Sequence, residues 1–94
     1  IRMPSVFTPT GDGINDYLHP VNAEAIDEYR IRVYNRWGIL MYDGTHEEEG
    51  WDGTYEGIEC PVGMYYWVFD FVFTKGIVKG SPWTGTILLL REPQ

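Results

Sequence analysis

The chain has 94 residues, with 7 basic and 14 acidic side chains and a net charge of −7. This acidic balance argues against a nucleic-acid or anionic-membrane partner, because either would require a basic surface. The aromatic content of 16%, with eleven glycines and six prolines, favours short strands and tight turns in one domain spanning residues 1–94. No apolar run approaches the ~20 residues that cross a bilayer, so membrane insertion is not expected.

A turn-rich segment near the start, Phe7–Asp16, reads Phe-Thr-Pro-Thr-Gly-Asp-Gly-Ile-Asn-Asp and is called the first loop below. Its glycines, Gly13 among them, permit positive φ angles, and Asp12, Asn15 and Asp16 carry short side-chain oxygens. These oxygens either ligate calcium, which prefers oxygen ligands, or accept hydrogen bonds from the loop's own backbone. The spacing departs from that of an EF-hand loop, and both interpretations stay open.

The segment Tyr29–Trp37 alternates apolar and polar side chains, which predicts a half-buried strand. Its outer face carries Arg30, Arg32 and Arg36. Gly38 ends this strand and the chain soon becomes apolar again, which predicts a hairpin about Trp37 and Gly38.

The longest predicted strand, Met64–Thr74, has one wholly aromatic face. Asp70 lies on the opposite face, where a half-buried carboxylate needs a partner, and we predict one of the three outer-face arginines. The last strand, Trp83–Arg91, carries apolar side chains on both faces. It is therefore either covered on both sides or leaves an apolar stripe available to a partner.

Between these strands, Trp51, Asp52 and Gly53 form a second dense turn. Asp52 is expected to accept hydrogen bonds from backbone N–H groups just ahead of it, and Trp51 to anchor the turn on the core.

About seven short strands with frequent turns predict an all-β fold, an immunoglobulin-like antiparallel β-sandwich. The predicted core consists of Val6, Tyr29, Ile31, Val33, Trp37, Leu40, Trp51, Tyr65, Trp67, Phe69, Phe71, Ile87 and Leu89.

Residues suited to catalysis are few. The two histidines, His19 and His46, match no triad or metal spacing. Cys60 is the only cysteine, and we interpret it as a small side chain that fills space in a loop rather than as a nucleophile. We predict that the domain is not an enzyme and has no cofactor other than the calcium considered above.

Five motifs occur in a familiar order: the first loop, then Tyr34-Asn-Arg-Trp-Gly38, Trp51-Asp-Gly53, Pro61-Val-Gly-Met-Tyr-Tyr66 and Gly85-Thr-Ile-Leu-Leu-Leu-Arg91. Over nearly its whole length the chain thereby resembles the gliding-motility-associated C-terminal domains. These are the type B sorting domains of the type IX secretion system of Bacteroidetes.

The resemblance implies a sorting module that directs a large cargo protein through this system, via the periplasm and outer membrane, to the cell surface or medium. Its partners would be the outer-membrane secretion machinery and the N-terminal cargo domains of the same polypeptide. The export signal of the cargo would lie elsewhere in a longer protein. The candidate recognition residues are Asn35, Arg36, Asp52 and Arg91, each of which has a structural alternative in a turn or an ion pair.

Three positions depart from the family pattern. Ser5 and Thr10 stand where the family commonly has asparagine, and Trp83-Thr-Gly85 replaces aromatic-Lys-Gly.

The second hypothesis is an immunoglobulin-like spacer, or a calcium- or carbohydrate-binding module of a surface adhesin, that uses exposed aromatics such as Tyr55 or Trp83.

Overall fold

The computed structural model describes residues 3–11, 16–20, 28–73 and 82–91. Its strands are β1 (Val6–Phe7), β2 (Glu28–Tyr34), β3 (Leu40–Thr45), β4 (Thr54–Tyr55), β5 (Ile58–Glu59), β6 (Gly63–Phe73) and β7 (Trp83–Leu89). These described residues contain no helix, so the predicted all-β class is confirmed. None of their segments forms a helix long and apolar enough to cross a membrane.

Five strands form one sheet in the order β1-β7-β6-β2-β3, with β6 at its centre. The pairs β2–β3, β2–β6 and β6–β7 are antiparallel, as predicted, but β1 lies parallel to β7. The N–H of Leu88 donates to Ser5 O at 2.9 Å and that of Leu90 to Phe7 O at 3.1 Å. The sheet is therefore mixed, because the direction in which a two-residue edge strand joins a sheet is not written in its own side-chain pattern.

One face of this sheet forms the core. Eight predicted core residues are buried: Ile31, Val33, Trp51, Tyr65, Trp67, Phe69, Ile87 and Leu89. Tyr29 is half-buried and stacks on Phe69 with ring centroids 5.0 Å apart. The side chain of Phe71 lies outside the described part of the structure. Most of the predicted core is confirmed, since strand periodicity selects the inward face correctly within β2, β6 and β7.

The core prediction is wrong for Val6 and Leu40, each 39% exposed, and for Trp37, which is 73% exposed. In β1 the inward residue is Phe7, because neighbouring residues of a strand point to opposite faces. Trp37 lies beyond the end of β2, where the alternation of the strand no longer applies. Leu40 stands at an irregularity in the pairing of β2 with β3.

The sequence reasoning also missed core members. Leu18 and Cys60 are buried although they belong to loops, and with Phe7 they join the same apolar cluster as the strand residues.

The opposite face of the sheet is polar toward one end. Arg32 Nη2 lies 2.7 Å from Asp70 Oδ2, which confirms the predicted type of partner for this carboxylate. Arg30 pairs with Asp43 on the adjacent strand through two hydrogen bonds. The hydrogen bonds and charge of Arg30 lower the pKa of Asp43, although desolvation opposes that shift.

Segments outside the large sheet cover its buried face. Leu18 and Trp51 exchange two backbone hydrogen bonds, of 2.8 and 3.1 Å, and β4 and β5 form a separate two-stranded hairpin. The immunoglobulin-like sandwich is not confirmed, because the described residues supply only this bridge and this hairpin opposite the five-stranded sheet.

Candidate functional site

The tip of the β2–β3 hairpin is built by Asn35 and Gly38. Asn35 Oδ1 accepts the N–H groups of Trp37 at 2.9 Å and Ile39 at 3.0 Å, and the Gly38 N–H donates to Asn35 O at 3.0 Å. Gly38 has φ +81°, a conformation that suits glycine at this point of a hairpin. The predicted hairpin is present, and the Asn35 side chain is used within its own turn.

The two residues between them, Arg36 and Trp37, are both exposed. The Arg36 guanidinium carbon lies 4.9 Å from the centre of the Trp37 ring, within the range of a cation–π contact. At an exposed site such a contact contributes only about 0.5–1 kcal/mol. It nevertheless holds a large apolar surface and a positive charge side by side at the tip.

A groove lies beside this tip, between the hairpin and the chain that enters β6. It has a volume of about 250 Å³ and is lined on one side by Arg36 and Trp37 and on the other by Val62 and Met64. Val62 is 56% exposed and Met64 is 47% exposed. We call this feature the hairpin-tip groove.

Sequence reasoning missed the second wall of the groove. The available signal was that the apolar residues Val62 and Met64 flank Gly63 at the start of the long strand, two residues apart and therefore on the same side of the chain, opposite the aromatic face. The wall is held in place by Tyr65, whose hydroxyl donates to Pro61 O at 2.7 Å.

The second dense turn has the predicted local structure. Asp52 Oδ1 accepts the Thr54 N–H at 3.0 Å and the Thr54 hydroxyl at 2.7 Å. Trp51 is buried, and its indole N–H donates to Thr54 O at 2.9 Å. Gly53 has φ +83°, and a Cβ atom there would lie 2.9 Å from Pro9 Cγ. The turn therefore requires glycine at this position both for its φ angle and for its packing.

Arg91 fastens the end of β7 to this region. Its Nη2 donates to Gly53 O and to Cys60 O, both at 2.8 Å, and its Nε donates to Cys60 O at 3.3 Å. Glu59 Oε2 lies 3.5 Å from Nη1. The guanidinium thus bridges two carbonyl groups of the β4–β5 hairpin, and we call this set of contacts the Arg91 bridge.

The first loop is described only in part, since Asp12, Gly13 and Asn15 lie outside the described residues. Asp16 is half-buried, and its Oδ1 accepts the Gly11 N–H at 3.0 Å. This contact is of the kind that closes a loop on its own backbone. Asp16 and Asp52 line one cavity of about 230 Å³, a proximity that the sequence did not indicate.

Reactive groups are sparse in the described part of the chain. Burial raises the pKa of the Cys60 thiol, and its sulfur lies 3.9 Å from the Met41 sulfur. The thiol is thus protonated and enclosed, the opposite of an activated nucleophile. Within the described ranges, no three His, Cys, Asp or Glu side chains are grouped so as to hold a metal ion.

The candidate residues fall into two groups in space. Gly53 and Arg91 are joined by the Arg91 bridge, with Asp52 adjacent to Gly53, whereas the residues from Asn35 to Gly38 occupy the hairpin tip. The two groups are connected through the chain from Cys60 to Pro61. Arg91 holds the carbonyl of Cys60, and Pro61 lines the hairpin-tip groove.

The family model described as the CHU_C type IX secretion signal domain matches residues 1–87 of the 94-residue chain. Neither a curated protein nor a solved structure matches.

Proposed function

Because the chain belongs to the type IX secretion signal domain family, we propose that it directs a large cargo protein through the type IX secretion system to the cell surface or medium. The observation that carries the proposal is the family match, which extends over residues 1–87. In this function the domain is a non-catalytic sorting signal. The outer-membrane machinery recognises it while the cargo is attached on its N-terminal side.

The contacts of the folded domain support recognition as its mode of action. Asn35 and Asp52 are engaged by backbone N–H groups, and Arg91 is engaged by backbone carbonyls. These side chains hold the loops in a fixed shape. A receptor that reads shape and surface chemistry requires such rigidity, because a preordered surface loses less conformational entropy on binding.

The test is to fuse the domain to the C-terminus of a periplasmic reporter and to express it in a host with an intact type IX system and in a mutant that lacks it. We expect the reporter outside the cell only in the intact host. Retention of the reporter in both hosts would contradict the proposal.

The alternative function, a spacer or ligand-binding module of an adhesin, has less support. Its two candidate ligand platforms, Tyr55 and Trp83, are 41% and 42% exposed, and Trp83 also packs against Phe69 at a centroid distance of 6.1 Å. The family match does not favour that function.

A further inference from the structure

The hairpin tip displays two side chains that its own fold does not use. The turn depends on the side chain of Asn35 and on the conformation of Gly38, while Arg36 and Trp37 make no contribution to the buried core. Trp37 leaves 73% of its surface exposed. Trp and Arg are the residue types most enriched among those that dominate binding energy in protein interfaces.

The charge at the tip is also unusual for this molecule. Among the described residues, Arg30, Arg32 and Arg91 each lie within 4 Å of a carboxylate, and Arg36 does not. The whole chain carries a net charge of −7. Within the described part of the chain, Arg36 is therefore a positive charge without a carboxylate partner, and it is complementary to a single carboxylate rather than to a broadly acidic surface.

The size of the groove limits what it can hold. Its volume of about 250 Å³ is below the roughly 300–1,000 Å³ typical of small-molecule and cofactor sites. It is sufficient for one large apolar side chain, and its walls at Trp37, Val62 and Met64 are apolar and accessible. Such an arrangement fits an anchor residue of another protein.

The acidity of the domain argues against a second copy as the occupant, because two chains of charge −7 repel each other. The same charge disfavours nucleic acid and anionic lipid. The occupant that fits best is a largely neutral protein segment with one acidic residue.

We propose that the hairpin-tip groove binds an extended segment of the secretion machinery that places an apolar side chain between Trp37 and Met64 and an adjacent Asp or Glu against Arg36. This inference rests on the proposed sorting function and identifies the surface that carries it. The cation–π stack of Arg36 on Trp37 holds the two recognition groups in place before the partner arrives.

The experiment uses the reporter fusion in the intact host, with Trp37→Ala and Arg36→Glu as test variants. Each has a control: Ile58→Ala changes another apolar residue that is 73% exposed, and Arg30→Gln removes a positive charge from β2 at a residue that does not line the groove. We expect each test variant to lower the exported fraction about tenfold or more, as loss of a dominant interface residue does. The controls are expected to stay within about twofold of the unchanged fusion. Thermal melting of the purified domains should show that the test variants remain folded.

The outcomes separate the two proposals. If the unchanged fusion is exported only by the intact host, but folded Trp37→Ala and Arg36→Glu are exported equally well, the groove is not the surface that is read and the sorting function stands. If the unchanged fusion is retained in both hosts, the sorting function fails and this inference fails with it. A concentration-dependent dimer in sedimentation that Trp37→Ala abolishes would identify a second copy as the occupant and overturn the inference.

Discussion

Replacement of Arg91 by Met tests whether the Arg91 bridge stabilises the fold. Methionine keeps an apolar stem of similar length but removes the donors to Gly53 O and Cys60 O. Gly53 O retains the N–H of Cys60 at 2.8 Å, so only the Cys60 carbonyl loses its partner among the described residues. A hydrogen bond to a charged group contributes about 1.5–3 kcal/mol, and an orphaned buried acceptor costs about 1–3 kcal/mol. These two costs describe partly the same loss and are not added in full. We therefore expect the free energy of unfolding to fall by about 2–3 kcal/mol and the melting temperature by about 10–20 °C.

The assay is urea unfolding followed by tryptophan fluorescence, with two comparison variants. Arg91→Lys keeps the charge but lacks the planar fork that reaches both carbonyls, so we expect a smaller loss of about 1–2 kcal/mol. Glu59→Gln removes only the ion pair of a side chain that is 73% exposed, and we expect a change below about 0.5 kcal/mol. A stability of Arg91→Met within about 0.5 kcal/mol of the unchanged domain would refute the reasoning. So would a Glu59→Gln variant that loses as much as Arg91→Met, because the ion pair would then be the main contribution.

Three further predictions concern packing, a buried hydroxyl and calcium. In Gly85→Ala the new Cβ would lie 2.4 Å from Trp67 Cζ2, so the ring must shift, and we expect urea unfolding to show a loss of about 1–3 kcal/mol. The Tyr42 hydroxyl is buried and has no hydrogen-bond partner among the residues that the structure describes, so Tyr42→Phe should be neutral or stabilising by about 1 kcal/mol. Burial also raises the pKa of Tyr42 from 10.0 to about 12, so the folded state keeps a proton that the unfolded state releases above pH 10.0. The free energy of unfolding should therefore fall as the pH rises from 10.0 to about 12, and it should fall less steeply in Tyr42→Phe. If the first loop binds calcium, calorimetric titration should give heat and calcium should raise the melting temperature relative to a chelator. Neither effect would be seen if the loop only closes on its own backbone.

Local patterns in the sequence predicted a large part of the fold. The alternation in β2 and β6 identified their inward faces because side chains in a strand alternate strictly and one face of this sheet is buried. The turns at Asn35 and Asp52 were predictable because short polar side chains cap backbone N–H groups within two to four residues. These successes share one property: the partners lie close together in sequence.

Two of the misses have the opposite property. The parallel pairing of β1 with β7 and the contact of Arg91 with Cys60 each join residues that are far apart in the chain. No local pattern encodes such contacts. Trp37 was assigned to the core because it continues the alternation of the predicted strand Tyr29–Trp37, and only the end of β2 at Tyr34 shows that it belongs to the turn.

The contacts also separate the candidate recognition residues into those that shape a loop and those that face solvent. Asn35, Asp52 and Arg91 were all candidates for recognition, but each is engaged by the main chain, so changing one of them alters the shape of a loop. Arg36 and Trp37 carry their charge and apolar area outward. A loss of export in Arg91→Met would therefore accompany a loss of stability, because the bridge fixes Cys60, next to the groove wall at Pro61. A loss of export in Trp37→Ala should occur without one, and this difference separates a residue that shapes the groove from a residue that the partner contacts.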